Sequence, residues 1–258
     1  MKIRFLGAHS TESPTARYVS IFVNDRVILD AGAVGTALSL REQEKIEAIL
    51  LTHQHYDHIR DIPTIARNLY HQGISLNVWT TPEVRAAIEA HLLNGEVYPR
   101  FQDLPADKPT VSFNDVILRE GQRVDGHQVI AAPVNHCTLT VGYQVTDGAG
   151  NSMFYTADTG PGLEDCWNYV TPQLLIADVT MPNRYEAFSR QTQHLTPALL
   201  QKEMETFRRR KGYLPQIVVV HMDADLEGEI REDLKAVSET LATTITLASE
   251  GMEINIAA

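Results

Sequence analysis

The chain is short of cysteine, with two in 258 residues, Cys137 and Cys166. Two thiols build no disulfide framework, and a cytoplasmic protein in a reducing compartment is the expectation. Long apolar runs are missing as well. Nowhere do about 18 apolar residues follow one another, the length a membrane-spanning helix needs. Met1 to Gly7 run directly into a strand pattern without the apolar core of a signal peptide, so no leader is expected. Basic residues are scarce, with 22 Lys and Arg against 33 Asp and Glu, a net charge of −11. Long nucleic acid needs clustered cations to neutralise its phosphates, and a surface of this sign disfavours it as a partner. The one basic run, Arg208 to Lys211, ends a helical pattern, where the helix dipole favours it. The sequence also lacks internal repeats, a low-complexity linker, a Gly-x-Ser-x-Gly nucleophile motif and a phosphate-binding P-loop.

Histidine, by contrast, is concentrated. Thr52-His53-Gln54-His55-Tyr56-Asp57-His58 places three histidines and an aspartate in six consecutive positions. The stretch follows Ile46 to Leu51, an apolar run broken only by Glu47, which reads as a buried strand. Imidazole nitrogens and a carboxylate at a strand end are a ligand set for zinc, manganese or iron. His53 and His55 can aim at one ion, Asp57 and His58 at a second.

Hydrophobic residues make up 43% of the chain, enough for a sizeable core in one large domain or two small ones. Strand patterns fall near 2–6, 18–23, 26–30, 46–51 and 75–79, and strands dominate 111–156, with Asp147-Gly148 marking a hairpin. Helical patterns fit 33–44, 57–70 and 82–93, and residues 94–110 read as loop. The last hundred residues alternate, with helices near 161–168, 196–211 and 226–240 between strands at 173–178, 216–220, 242–247 and 252–256. Pattern alone gives an α/β or α+β fold.

The motif His-x-His-x-Asp-His after an apolar strand resembles the signature of the metallo-β-lactamase fold hydrolases. Later landmarks of that family follow in order: His136 after Val129 to Val134, Asp158 within Tyr155-Thr156-Ala157-Asp158-Thr159, and His221 after Ile217 to Val220. The resemblance covers nearly the whole chain and implies a single domain over residues 1–258, an αββα sandwich of two mixed sheets flanked by helices. It implies His53, His55 and His136 on one divalent metal ion, and Asp57, His58 and His221 on another, with Asp158 between them. Zinc is the first expectation, with manganese or iron as alternatives. Two such ions can hold a hydroxide as nucleophile.

Further resemblances point to the phosphodiesterase branch, which includes tRNA 3′-processing and cyclic-nucleotide enzymes. That branch has an extra histidine between the bridging aspartate and the last ligand, and His194 in Gln193-His194-Leu195-Thr196-Pro197 takes its place. There it contacts phosphate and protonates the leaving alkoxide. Leu174 to Thr180 looks like the segment that reads Leu-Ile-His-Glu-Ala-Thr in the tRNA-processing enzymes. Asp178 stands for the glutamate that orients the histidine, and its shorter side chain puts that relay in question. Only 21 residues separate His136 from Asp158, too few for the arm that holds large RNA. Residues 91–101 and 247–254 look like segments of class II cyclic-nucleotide phosphodiesterases.

The expectation is therefore a metal-dependent hydrolase of a small phosphodiester such as a cyclic nucleotide, with Asp57, His194 and Asp178 assigned to catalysis. The alternatives are a lactonase or other ester hydrolase on the same metals, and a diiron redox sensor. Such sensors carry Glu where His55 stands and Asp where His58 stands. Oligomeric state is open, a homodimer included. Cys137 reads as a small buried residue, His9 as a loop histidine, and Asp30 as a turn former or support for the site. Arg17 and Tyr18 read as facing the cleft, and Asp223 and Asp225 as helix-start caps. His71, His91 and His127 fall outside every motif.

Overall fold

The computed structural model describes residues 1–257. Its strands form two seven-stranded sheets. The first sheet contains β1 (Lys2–Gly7), β2 (Ser20–Val23), β3 (Val27–Leu29), β4 (Ala48–Leu50), β5 (Leu76–Thr80), β6 (Val111–Asp115) and β14 (Glu253–Asn255), in the order β14-β1-β2-β3-β4-β5-β6. The second contains β7 (Gly121–Val124), β8 (His127–Pro133), β9 (Val141–Thr146), β10 (Ser152–Tyr155), β11 (Leu174–Asp178), β12 (Gln216–Val220) and β13 (Ile245–Leu247), in the order β13-β12-β11-β10-β9-β8-β7. Both sheets are mixed. In the first, β3 to β6 are parallel and β14 to β3 antiparallel. In the second, β10 to β13 are parallel and β7 to β10 antiparallel.

Alternation along the strands builds the layers. Val27 and Leu29 of β3 join the core between the sheets, with Val129, Ala131, Tyr143 and Val145 of the second sheet. Ile28 between them faces the other way, into a second core with Phe22, Ile49 and Val78. Two helices cover that outer face, α4 (Ile62–Tyr70) through Ile62, Ile65 and Leu69, and α5 (Pro82–His91) through Val84 and Ile88. Strand β11 is buried along its whole length and so is β12 beyond Gln216, as parallel strands covered on both faces are. Helix α7 (Pro197–Lys211) contributes Leu199, Leu200, Met204 and Phe207 to this core, and α8 (Glu227–Leu241) contributes Ile230, Leu234 and Val237. The result is the αββα sandwich.

Several elements differ from the sequence expectation. The helix expected over 33–44 is two short ones, α1 (Val34–Ala37) and α2 (Leu40–Gln43), separated where Ser39 caps α2 with a capping box to Glu42. The helix expected over 57–70 is likewise divided, into α3 (Tyr56–Ile59) and α4. Near 161–168 only a 3-10 turn forms, Cys166–Asn168, because Gly162 takes a φ of 112° that no helix tolerates. A short helix that the pattern did not suggest, α6 (Glu186–Thr192), precedes His194. Among the described residues no helix is long and apolar enough to cross a membrane.

Strands β3, β4, β8, β10, β11 and β12 all run in the direction that brings their carboxyl ends to one edge of the sandwich. Asp30, the 52–58 motif, His136, Asp158, Asp178 and His221 lie at or just beyond those ends. Carboxyl ends of strands are where α/β folds place ligand-binding residues.

Candidate metal centre and its flanking histidine

The seven residues implied as ligands converge. His53 Nε2 lies 3.7 Å and His136 Nε2 3.9 Å from Asp158 Oδ2, and His55 Nδ1 is 3.4 Å from His136 Nε2. On the other side, Asp158 Oδ1 is 3.3 Å from His58 Nε2 and 3.4 Å from His221 Nε2. Asp57 Oδ2 is 3.3 Å from each of those nitrogens. Asp158 thus turns one carboxylate oxygen to each group of donors. Within each group of four, the donor atoms lie no more than 4.8 Å apart.

The donors fit a pair of divalent cations. His53 Nε2, His58 Nε2 and Asp158 Oδ1 are buried and lack any hydrogen-bond partner. Unpaired buried polar atoms are costly, and these three belong to the two groups of donors, where bound cations would satisfy them. The charge balance agrees. Burial lowers the His58 pKa, but the Asp158, Asp30 and Asp57 carboxylates lift it well above its ordinary value. His221 responds in the same way, burial opposing and Asp158 leading the rise to about 10. The second group of donors therefore demands positive charge. In the first group, burial lowers His53, His55 and His136, which leaves neutral imidazoles able to bind metal.

Strained backbone surrounds the site. Asp30, Ala157, Gln193 and His221 adopt left-handed φ values of 56°, 58°, 57° and 63°. Such conformations in non-glycine residues cost roughly 1–3 kcal/mol each and concentrate at functional sites. Here Ala157 precedes Asp158, and Gln193 precedes His194. Asp30 is fully buried, accepts from His58 Nδ1 at 2.7 Å, and accepts from the Tyr155 hydroxyl at 3.0 Å. The Gln193 carbonyl accepts from His136 Nδ1 at 3.1 Å. The roles of Tyr155 and of the Gln193 carbonyl left no signal in the sequence, because both arise from contacts across the fold.

His194 sits at the edge of this cluster, in the turn between α6 and α7, where Thr196 caps α7 through Leu199 N. Its ring stacks on His221 at 5.2 Å and meets His136 edge-on at 5.1 Å. Asp178 Oδ2 accepts from His194 Nδ1 at 2.8 Å, so the shorter carboxylate does reach. Asp178 is the last residue of β11 and is fully buried, whereas the His194 side chain is 15% exposed. Burial lowers the His194 pKa, and Asp178 and then Asp158 raise it, so the net shift is upward.

Cys137, His9 and Asp223 fall elsewhere than the sequence suggested. Cys137 is exposed rather than buried, because it follows His136 at the site mouth, with Sγ 3.7 Å from His55 Nε2 and 3.6 Å from His136 Nε2. His9 is buried between two carboxylates, Nδ1 2.8 Å from Glu250 and Nε2 3.2 Å from Glu227. Asp223 caps no helix. Its Oδ1 accepts from Asp225 N in a turn, and α8 starts one residue after Leu226 without a side-chain cap. Tyr18 carries the Arg60 guanidinium over its ring at 5.1 Å, and Arg17 Nη1 donates to Leu6 O at 3.4 Å. His71 and His91 are exposed, and the buried His127 contacts Asn24 at 2.9 Å.

The sequence pattern of the Beta-lactamase superfamily domain matches residues 25–222, about three quarters of the chain and all seven clustered donors. The chain belongs to the beta-lactamase superfamily. Membership and the clustered donors together support a metal-dependent hydrolase. Sequence comparison with curated proteins gives no match. Among solved structures the fold is similar to unliganded yeast PDE1, with TM-score 0.82, 16% identity and 98% of each chain covered. It is also similar to the short form of human tRNase Z (TM-score 0.71, 18% identity, 100% of each chain). A diphosphatase from the PhnP family follows at TM-score 0.68 and 17% identity, with 99% of this chain and 98% of that one covered. At these identities the likeness speaks for the superfamily fold.

Proposed function

We propose that the chain is a dinuclear metal-dependent phosphodiesterase acting on a small phosphodiester, with a cyclic nucleotide as the leading substrate type. His53, His55 and His136 would hold one ion, and Asp57, His58 and His221 the other, with Asp158 between them. Zinc is proposed first, manganese or iron as alternatives. When bound, two divalent cations supply charge for the phosphoryl oxygens and a water acidic enough to attack at neutral pH.

The observation that carries the reading is the 2.8 Å contact of His194 Nδ1 with Asp178. A carboxylate that holds Nδ1–H leaves Nε2 as the working atom of the ring. A protonated His194 can give that Nε2 proton to a departing alkoxide, and buried Asp178 stabilises the imidazolium and fixes its plane. A net charge of −11 favours a small substrate over a long polyanion. The similar structures include a diphosphatase and a tRNase, so phosphate chemistry occurs on this fold.

The test compares leaving groups. General acid help is worth about a hundredfold to ten-thousandfold. His194→Ala should lower turnover of a nucleoside or alkyl diester by a factor in that range, and of a nitrophenyl diester by clearly less, since nitrophenolate departs unaided. Equal losses would reduce His194 to a phosphate contact. Wild-type activity on lactones without activity on diesters would replace the phosphodiesterase reading with a lactonase.

A further inference from the structure

Two threonines occupy matching positions in the two sheets. Thr52 follows β4 and Thr180 follows β11, and both are buried. Thr52 Oγ1 donates to Asp30 Oδ2 at 2.9 Å and lies 2.9 Å from His53 Nδ1. Thr180 Oγ1 donates to Asp178 Oδ1 at 2.7 Å and lies 2.9 Å from His221 Nδ1. A hydroxyl has one hydrogen. In each case an aspartate oxygen accepts that hydrogen. The hydroxyl oxygen is then free only to accept, so the histidine Nδ1 must be the donor. With Nδ1 protonated, the neutral ring presents its Nε2 lone pair to the centre. The oxygens at 52 and 180 therefore set the tautomers of His53 and His221, and the backbone N–H of Thr52 reinforces the first arrangement by donating to Asp30 Oδ1 at 2.9 Å.

The same two aspartates each hold a second histidine directly. Asp30 Oδ2 takes His58 Nδ1 at 2.7 Å, and Asp178 Oδ2 takes His194 Nδ1 at 2.8 Å. Each sheet thus contributes one buried carboxylate that governs two rings, one by direct contact and one through a hydroxyl. Asp30 serves one ring from each group of donors, His53 and His58. Asp178 serves His221 and the flanking His194.

We propose that Thr52 and Thr180 are positioning residues whose hydroxyls hold His53 and His221 in the metal-binding tautomer, and that Thr180 ties His221 and His194 to one carboxylate. This rests on the dinuclear reading above. The hydroxyl is the operative group, because a valine of the same shape would leave a buried Nδ1–H and one lone pair of the aspartate unsatisfied. The threonine methyl adds only stiffness about χ1.

The test measures metal affinity by competition with a chromophoric chelator, using zinc and the full chain. Outer partners of ligand histidines are typically worth about tenfold to a hundredfold in affinity. Thr52→Val and Thr180→Val should each weaken one of the two zinc sites by a factor in that range, and Thr52→Ser and Thr180→Ser should restore it to within a few-fold. Histidine nitrogen chemical shifts of the zinc-loaded wild type should show Nδ1 protonated on His53 and His221. Should valine at either position prevent folding, the serine and alanine variants make the same comparison. Turnover of an alkyl diester should fall further in Thr180→Val than in Thr52→Val, since only Asp178 also holds His194. Zinc affinity of the valine variants within twofold of wild type would overturn the proposal, as would equal loss in serine and valine. A wild type that binds no zinc, manganese or iron would instead sink the dinuclear reading beneath it.

Discussion

The His194 ring and the Asp178 carboxylate meet at 2.8 Å although they lie 16 positions apart in the chain, and the carboxylate is the more deeply buried of the two. Burial alone would lower the His194 pKa, and the negative charges of Asp178 and then Asp158 reverse the shift. A general acid works only while protonated, so its rate contribution is lost as pH rises through its pKa. Asp178→Asn keeps an oxygen near Nδ1 but removes the charge. Its alkyl-diester turnover should therefore begin to fall at a lower pH than that of wild type, on the alkaline side of the profile. Superimposable alkaline limbs in the two enzymes would exclude Asp178 from this role.

Asp158 offers a different oxygen to each group of donors, Oδ2 toward His53 and His136, Oδ1 toward His58 and His221. A carboxylate between two cations also offsets their mutual repulsion. Asp158→Ala should consequently lose metal from both sites, while His194→Ala, outside both groups of ligands, should retain it. Elemental analysis of the two purified variants decides the matter, and equal metal content would refute the assignment of roles.

The histidine motif was legible because its donors are adjacent in the chain and follow an apolar strand. His136, Asp158 and His221 were legible only by resemblance, since each is a single polar residue after an apolar run. What escaped the sequence depends on contacts across the fold. His9 finds Glu250 across 241 positions, and no local pattern announces that pair. Cys137 looked like core because free cysteine is so often buried, yet its place after His136 puts it at the mouth of the site. The left-handed residues gave no warning either, since none of the four at the site is glycine. Helix α6 is only seven residues long and buries one of them, Ser189, so it lacks the apolar periodicity that marks a helix. The two-layer arrangement was legible only through the resemblance, since the strand and helix pattern alone gives no more than an α/β or α+β fold.

Gly32 marks where the first sheet touches the metal loop. A Cβ there would meet the Asp57 carbonyl oxygen at 2.3 Å, Tyr18 Cβ at 2.6 Å and Val19 O at 2.8 Å. Two of these are backbone atoms and have little room to yield. Gly32→Ala should destabilise the fold by about 1–3 kcal/mol, the usual range for overpacking, and should lower metal content by displacing Asp57. Gly148→Ala, with nothing within 4 Å of the added carbon, serves as the control and should change stability by less than about 0.5 kcal/mol. Thermal unfolding and elemental analysis read the two effects, and a Gly32→Ala protein as stable and as metal-rich as the control would contradict this account.

His9 joins the loop after β1 to two points in the last third of the chain, Glu227 at the start of α8 and Glu250 before β14. Burial lowers its pKa, and Glu250 and then Glu227 raise it, leaving it above the ordinary value of 6.5. Arg231 also pairs with Glu227, and Arg17 N donates to Glu250 at 2.9 Å, so each carboxylate has a second donor besides the ring. The linkage sign follows from the direction of the shift. A histidine whose folded pKa exceeds its unfolded one stabilises fully below the unfolded pKa, here near 6.5, and loses that contribution as pH rises through the folded pKa. His9→Gln retains hydrogen-bonding groups but cannot take up a proton. The stability advantage of wild type over His9→Gln should therefore be largest near pH 6 and shrink steadily toward pH 9. Chemical denaturation at several pH values gives the difference directly. An advantage that stayed constant, or grew with pH, would show that the ring is neutral in the folded protein and that the two carboxylates hold it by hydrogen bonding alone.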